Sequence, residues 1–192
     1  NLTAIYIPDN TLSAYQQAWG NEYTYVNNET TLTLNVEVPG ILEDLIFEVG
    51  TRPALVAKLI LSGTLNDNDF TCMRETMTSL VDVDLSGITN TSGVYFNGKE
   101  NLVRIILPTN LTSIGDDAFY YCKGLTSVAI PNSVTSIGSY VFYGCDGLTT
   151  PIYNAHYFIY LPTSYSGTYT IPDGIKQIAG GAFAWCSGLT SV

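Results

Sequence analysis

Apolar residues recur along this chain in a short fixed phrase. A Leu is followed three residues later by Val or Ile and, two residues after that, by another apolar residue. Residues 102–124 read LVRIILPTNLTSIGDDAFYYCKG and residues 125–147 read LTSVAIPNSVTSIGSYVFYGCDG, two copies offset by 23. Leu102 aligns with Leu125, Ile114 with Ile137, Phe119 with Phe142, and Cys122 with Cys145. In a third copy Tyr169, Ile171, Pro172, Ile175, Ile178, Phe183, Cys186 and Leu189 stand 41 residues beyond their counterparts. That is one period plus 18, so residues 151–168 read as an insertion or a shortened repeat with one extra strand, over residues 158–161. Weaker copies lie upstream at Leu80, Val83 and Leu85, at Val56, Leu59 and Leu61, and in LTAIYIP at residues 2–8.

Two apolar residues spaced by two point to one face of a strand, and the residue between them points to the other. Pro108, Pro131 and Pro172 follow the last apolar position and, having no N–H, end the ladder there. Apolar residues then return at irregular intervals with Gly at the bends, which describes a turning segment and not a long helix. One such unit cannot bury its own apolar face. Stacked units can, each large side chain contributing roughly 1.5 to 3 kcal/mol when it packs on its equivalent in the next turn. Phe119, Phe142 and Phe183 are accordingly expected in one continuous column. Residues 31–50 (TLTLNVEVPGILEDLIFEVG) read as an alternating strand and a short amphipathic helix covering the first repeat.

The consensus Leu-x-x-Val-x-Ile-Pro-x-x-Val-x-x-Ile-Gly-x-x-Ala-Phe-x-x-Cys-x-Gly resembles the BspA-type leucine-rich repeat of bacterial surface proteins. The match is specific over residues 102–192 and looser over 55–101. The resemblance implies an α/β fold: a right-handed leucine-rich-repeat solenoid with a parallel concave sheet and short helical or turn segments on the convex side. It implies an extracellular or cell-surface location in a host-associated bacterium, and adhesion or protein binding. Residues 2–19 (LTAIYIPDNTLSAYQQAW) are similar to the strand and capping helix that close such arrays. The organisation expected is then a cap-like end of a preceding array over 1–28, a strand plus short helix capping the array over 29–54, and repeats over 55–192 with an 18-residue insertion near 151–168. On this reading the chain is a window from a longer protein. Ala179 replaces Gly115 and Gly138, and Ser166 replaces Leu102 and Leu125, so the last full copy is imperfect.

Composition narrows the partners. The 192 residues carry a formal charge of -10, with 7 Lys and Arg against 17 Asp and Glu. That balance repels phosphate backbones, so nucleic acid is not expected as a partner. The most apolar stretch, residues 54–61, is interrupted by Lys58 and is too short to cross a bilayer, which takes about 20 helical residues.

Candidate chemistry is sparse. Cys122, Cys145 and Cys186 share one repeat position and form an inward column; with no Cys-x2-Cys spacing they read as buried thiols, as does Cys72, and no metal or cofactor is expected. His156, the single histidine, has no acid between Asp146 and Asp173 to orient it, so no catalytic residue is assigned. Asp67 and Asp69 read as caps of a helix over 69–77. Lys58, Asp82 and Arg104 hold one place in successive strands and are expected to form an alternating charged ladder. Tyr120, Tyr121, Tyr140 and Tyr143 fall on turns, and Tyr153, Tyr157, Tyr160 and Tyr165 crowd the insertion. They read either as packing between turns or as ligand contacts, Tyr being enriched at binding hot spots.

The reading reached is a non-catalytic binding module for an extracellular protein or glycan. Its ligand face would carry Lys58, Asp82, Asp84, Arg104, Ser127 and Thr150, with Tyr153, Tyr157, Tyr160 and Tyr165 beside them. The alternative is a structural spacer that displays another domain and has no ligand of its own.

Overall fold

The computed structural model describes residues 4–6, 24–26, 30–91 and 93–192. The cap-like end expected over 1–28 lies outside the described residues except for strands β1 (Ala4–Tyr6) and β2 (Thr24–Val26), which pair in parallel.

The main sheet runs in chain order β3 (Thr30–Val36), β4 (Val56–Leu65), β5 (Asp82–Thr91) and β6 (Arg104–Ile106), all parallel. Parallel neighbours in chain order require a crossover between each pair. The first holds helix α1 (Leu42–Glu48) and a 3-10 turn (Pro53–Leu55); the second holds α2 (Asp67–Thr71), continued by a π-helical turn (Cys72–Thr76). The strand and short helix expected over 31–50 are therefore β3 and α1. Alternation sends Leu59, Leu61, Val83, Leu85 and Ile105 into the core.

Asn66, not Asp67, is the N-cap of α2. Its side chain accepts from Asn68 N at 2.9 Å, while Asp69 Oδ2 accepts from Asn66 N at 2.9 Å. The buried Asp69 carboxylate also accepts from Gly40 N at 2.7 Å and Leu42 N at 3.0 Å, pinning the loop before α1 to the start of α2.

The sheet expected to continue through Ser127 and Thr150 fades instead. After three pairs between β5 and β6 it narrows to a single bridge, Arg104 with Ser127, and Thr150 lies in a bend. β4 and β5 have ten residues each and no Pro, whereas in later copies Pro108 and Pro131 cut the phrase short. A second ladder takes over at the Thr-Ser-Ile-Gly phrase, where β7 (Ser113–Ile114) pairs in parallel with β8 (Ser136–Ile137).

Successive copies stack with their backbones in register. Asp117 N donates to Ser139 O at 3.0 Å, Phe119 N to Val141 O at 3.0 Å, and Tyr121 N to Tyr143 O at 2.7 Å. Phe96, Phe119 and Phe142 form a column, with near-parallel rings and centroids 6.1 and 5.3 Å apart. The thiols form a second column, each donating to a carbonyl one turn back: Cys122 to Phe96 O at 3.1 Å, Cys145 to Phe119 O at 2.9 Å, and Cys186 to Leu161 O at 3.4 Å. Lys99 stands at the same repeat position, and its buried ammonium donates to Met77 O and, at 3.3 Å, to Arg74 O. All four cysteines are free and buried. Burial pushes the Cys122 thiol up to about 12 and raises Cys145 as well.

Residues 148–165 are a turn of the coil in their own right. Against the preceding copy, Asn154 Nδ2 donates to Val134 O at 2.9 Å and Pro131 O at 3.2 Å, and Ala155 N donates to Asn132 Oδ1 at 3.0 Å. Against the following copy, β10 (Tyr157–Tyr160) pairs in parallel with β12 (Gln177–Ile178), and Leu161 N donates to Ala182 O at 2.8 Å. β10 also pairs antiparallel with β9 (Ile152–Tyr153), which the preceding turns do not have. Farther on, β11 (Ser166–Thr168) pairs in parallel with β13 (Gly188–Ser191).

The pairing of Phe158 with Ile178, and the place of Leu161 under Cys186, show where residues are missing. Ile159 and Tyr160 alone stand where Gly115–Ala118 stand in a full repeat. This short segment divides the core. Ile159 and Tyr160 pack with Phe119 and Phe142, while Phe158 and Leu161 form a second cluster with Ala182, Cys186 and Phe183. The single Phe column expected from the sequence is thus interrupted: Phe183 stacks on Phe158 at 5.0 Å, one core away from Phe142.

Two outcomes follow for stability. Asn154 is buried, and its Oδ1 also accepts from His156 N at 2.9 Å and Tyr157 N at 2.8 Å. Asn154→Ala leaves those groups without partners and is expected to cost at least about 1–3 kcal/mol in urea unfolding. As pH rises above 9.0, the Cys122 thiol ionises in the unfolded chain and not in the folded one. The unfolded state then binds fewer protons, so stability falls between pH 9.0 and about 12, by about 1.4 kcal/mol per pH unit for that thiol. Below pH 8 this thiol contributes no slope, and Cys122→Ala should reduce the alkaline slope.

Candidate functional site

Each full repeat holds two turn positions with positive φ. One column contains Asp117 (φ 55), Tyr140 (φ 55) and Gly181 (φ 77); the other contains Gly98 (φ 76), Tyr121 (φ 56), Gly144 (φ 71) and Trp185 (φ 62). Glycine adopts this conformation without penalty, whereas a side chain costs roughly 1–3 kcal/mol. Of the four non-glycine residues at positive φ among the described residues, three are aromatic.

Those three aromatics face one cleft. Because the short turn at 148–165 lacks part of the outer bend, the bends at 140–146 and 180–185 are joined only at their start, where Tyr140 N donates to Gly180 O at 2.8 Å. Beyond that bond they part around a cleft of about 300 Å³. Tyr121, Tyr140, Tyr143, Tyr160 and Trp185 line it with ring surface, and Asp146 supplies the single acid; no basic side chain lines it. Trp185 is 74% exposed. At the floor, burial raises the Tyr160 hydroxyl to about 12, with a smaller push from Cys145, so this phenol stays protonated and able to donate.

The rings are held by their neighbours. A Cβ on Gly181 would stand 2.6 Å from Tyr140 Cδ1, and one on Gly144 would stand 3.2 Å from Tyr121 Cγ. A ring at one level therefore requires glycine at the next level of the same column. Tyr143 stacks on Tyr120 at 5.0 Å and meets Tyr140 edge-on at 6.0 Å.

The residues singled out from the sequence are dispersed. Lys58 Nζ lies 3.2 Å from Asp82 Oδ2, and Arg104 Nε lies 3.0 Å from Asp82 Oδ1, which is the alternating ladder expected from the strand register. Asp84 Oδ1 accepts from Ser86 N at 2.9 Å. Ser127 and Thr150 are exposed beyond the main strands. Of the insertion tyrosines only Tyr160 reaches the cleft: Tyr153 is exposed on β9, Tyr157 donates to Thr135 O at 3.3 Å, and Tyr165 donates to Thr168 O at 2.9 Å. His156 contributes backbone groups, its carbonyl accepting from Lys176 N and Gln177 N. Among the described residues no group of three or more His, Cys, Asp or Glu side chains is arranged to hold a metal, and no helix is long and apolar enough to cross a membrane. Trp185 escaped the sequence reading, although its signal was present: it occupies a column that holds Gly98 and Gly144.

Comparison with known families bears on this geometry directly. Residues 61–149 match the family described as the BspA type leucine rich repeat region, in six copies. Residues 61–149 carry BspA-type leucine-rich repeats. The matched stretch includes Asp82 and Arg104 of the ladder, the column of Phe96, Phe119 and Phe142, Cys122 and Cys145, and the first bend of the cleft. Comparison with curated proteins gives no match. Among solved structures, the chain is similar to a T. pallidum leucine rich repeat protein at 20% identity, covering 83% of this chain and 78% of that one, with a TM-score of 0.38. Leucine-rich repeats of this kind are protein-binding scaffolds, and the cleft is a local departure from the repeat.

If the aromatics at positive φ are retained at a cost in stability, glycine should relieve it. Trp185→Gly removes the side chain with the least packing to lose and is expected to stabilise the fold by about 1 kcal/mol. Chemical denaturation reads this directly, and a loss of stability would show that the indole packs more than its exposure suggests.

Proposed function

We propose that this protein is a non-catalytic, extracellular or cell-surface module of a host-associated bacterium. It binds a protein ligand in adhesion, coiled right-handedly with its parallel sheet concave, as in the BspA-type arrays it resembles. The aromatic cleft is its recognition site. The observation that carries this reading is that Tyr121, Tyr140 and Trp185 occupy a costly backbone conformation and converge on one exposed recess. Strain of this kind persists where surrounding structure imposes it, and it concentrates at ligand-binding sites. Tyr and Trp also dominate binding hot spots, because they offer large contact area with one polar end.

The sheet face is the weaker candidate. Asp82 uses both carboxylate oxygens on Lys58 and Arg104, and Asp84 is turned to its own backbone. Those charges satisfy each other and set sheet register, at about 0.2–1 kcal/mol per exposed pair.

The test is binding of the immobilised chain to purified extracellular-matrix proteins by surface plasmon resonance, comparing wild type, Tyr140→Gly/Trp185→Gly and Asp82→Asn/Arg104→Gln. The proposal expects binding that the cleft variant loses, by at least about tenfold in Kd for one hot-spot residue, and that the sheet variant keeps. The reverse pattern would move recognition to the sheet face. Absence of binding by all three would favour the spacer reading.

A further inference from the structure

We infer that the cleft takes an alkylammonium group, presented by a lysine side chain of the partner protein. This rests on the reading of the cleft as the recognition site and names the chemistry that site selects.

Three observations point the same way. The walls are ring surface from four tyrosines and one tryptophan, whose faces carry negative potential that attracts a cation within about 6 Å of a ring centre. The one charged group on the lining is the Asp146 carboxylate; among the described residues no Lys, Arg or His side chain lines the cleft, and Lys123, the cation that Asp146 acts on, is already held by Glu100. The chain as a whole carries -10, an excess of acid that lies mostly in residues 1–100 and adds only a weak, screened attraction for a cation at the cleft. A ring of this cluster already receives one: Lys123 Nζ lies 5.5 Å from the Tyr121 centroid while held by Glu100 Oε1 at 2.8 Å.

A saccharide suits the lining less well. Sugar hydroxyls call for paired donors and acceptors, whereas among the described residues the lining offers no side-chain amide and no guanidinium; its polar side-chain groups are the tyrosine hydroxyls, the Trp185 indole N–H, Thr163 and Asp146. The size also fits a side chain. A recess of about 300 Å³ admits one flexible chain end but no folded surface. A lysine brings a four-carbon stem for the rings and a charged head for the carboxylate.

The experiment titrates the whole chain with N-acetyl-lysine-N-methylamide, its ε-trimethyl and ε-acetyl forms, choline and methyl glucoside. Binding is followed by NMR at the Trp185 indole N–H and by calorimetry. The charged lysine compounds are expected to bind and the ε-acetyl form to bind about tenfold more weakly, the factor a desolvated cation–π contact supplies. Asp146→Asn should weaken the charged compounds several-fold, and Trp185→Gly should weaken them about tenfold. Equal affinity for the acetylated compound, preference for methyl glucoside, or silence of every compound overturns the inference. Choline binding more tightly than either lysine compound overturns the assignment to a protein side chain. If the ammonium compounds bind while the partner still binds Tyr140→Gly/Trp185→Gly, the cleft's chemistry stands and its role as the recognition site fails.

Discussion

Everything in this molecule depends on equivalent backbone groups meeting at a fixed offset from one turn to the next. Asp117 with Ser139, Phe119 with Val141 and Tyr121 with Tyr143 are one such set, and Ser113–Ile114 against Ser136–Ile137 is another. A backbone N–H that leaves water must find an acceptor, and in a chain of short turns and shorter strands the next copy supplies it. Once the offset is kept, like side chains stack: ring on ring at Phe96, Phe119 and Phe142, and thiol on carbonyl at Cys122 and Cys145. The columns follow from the register.

The same constraint explains the cleft. A turn of 18 residues among turns of 23 cannot present every bonding group at its usual place. The chain keeps the inner contacts, with Asn154 clamping the preceding copy and Tyr157 and Phe158 pairing with Gln177 and Ile178, and gives up part of the outer bend. Inside, the shortened segment becomes a partition between two hydrophobic clusters. Outside, it leaves a recess that neighbouring bends fill with rings instead of backbone. A recess arises here by omission from a repeat, without any added loop.

Charge is distributed in keeping with this division. On the sheet, Lys58, Asp82 and Arg104 cancel one another in a ladder whose effect is local register. Around the cleft Asp146 is the one charged group on the lining, and the nearest base, Lys123, is held by Glu100. A surface whose charges are already paired has little left to offer a partner, while a carboxylate among aromatic faces favours positive ligands.

The period, the inward positions, the parallel register of Lys58 with Asp82 and Arg104, the burial of the thiols and the strand near residues 158–161 were all legible in the sequence, because stacking copies places equivalent residues at equivalent heights. Three features were not legible. The sheet's retreat to a single bridge at Ser127 reflects competition between two ladders, which a consensus does not rank. The partition that separates Phe183 from Phe142 depends on which residues the short turn omits, and that is visible only once Phe158 is seen opposite Ile178. The meeting of Tyr121, Tyr140, Tyr160 and Trp185 was likewise decided by tertiary structure. Sequence spacing assigns a residue its column; whether two bends close on each other or stand apart depends on the backbone bonds the turn between them can still make.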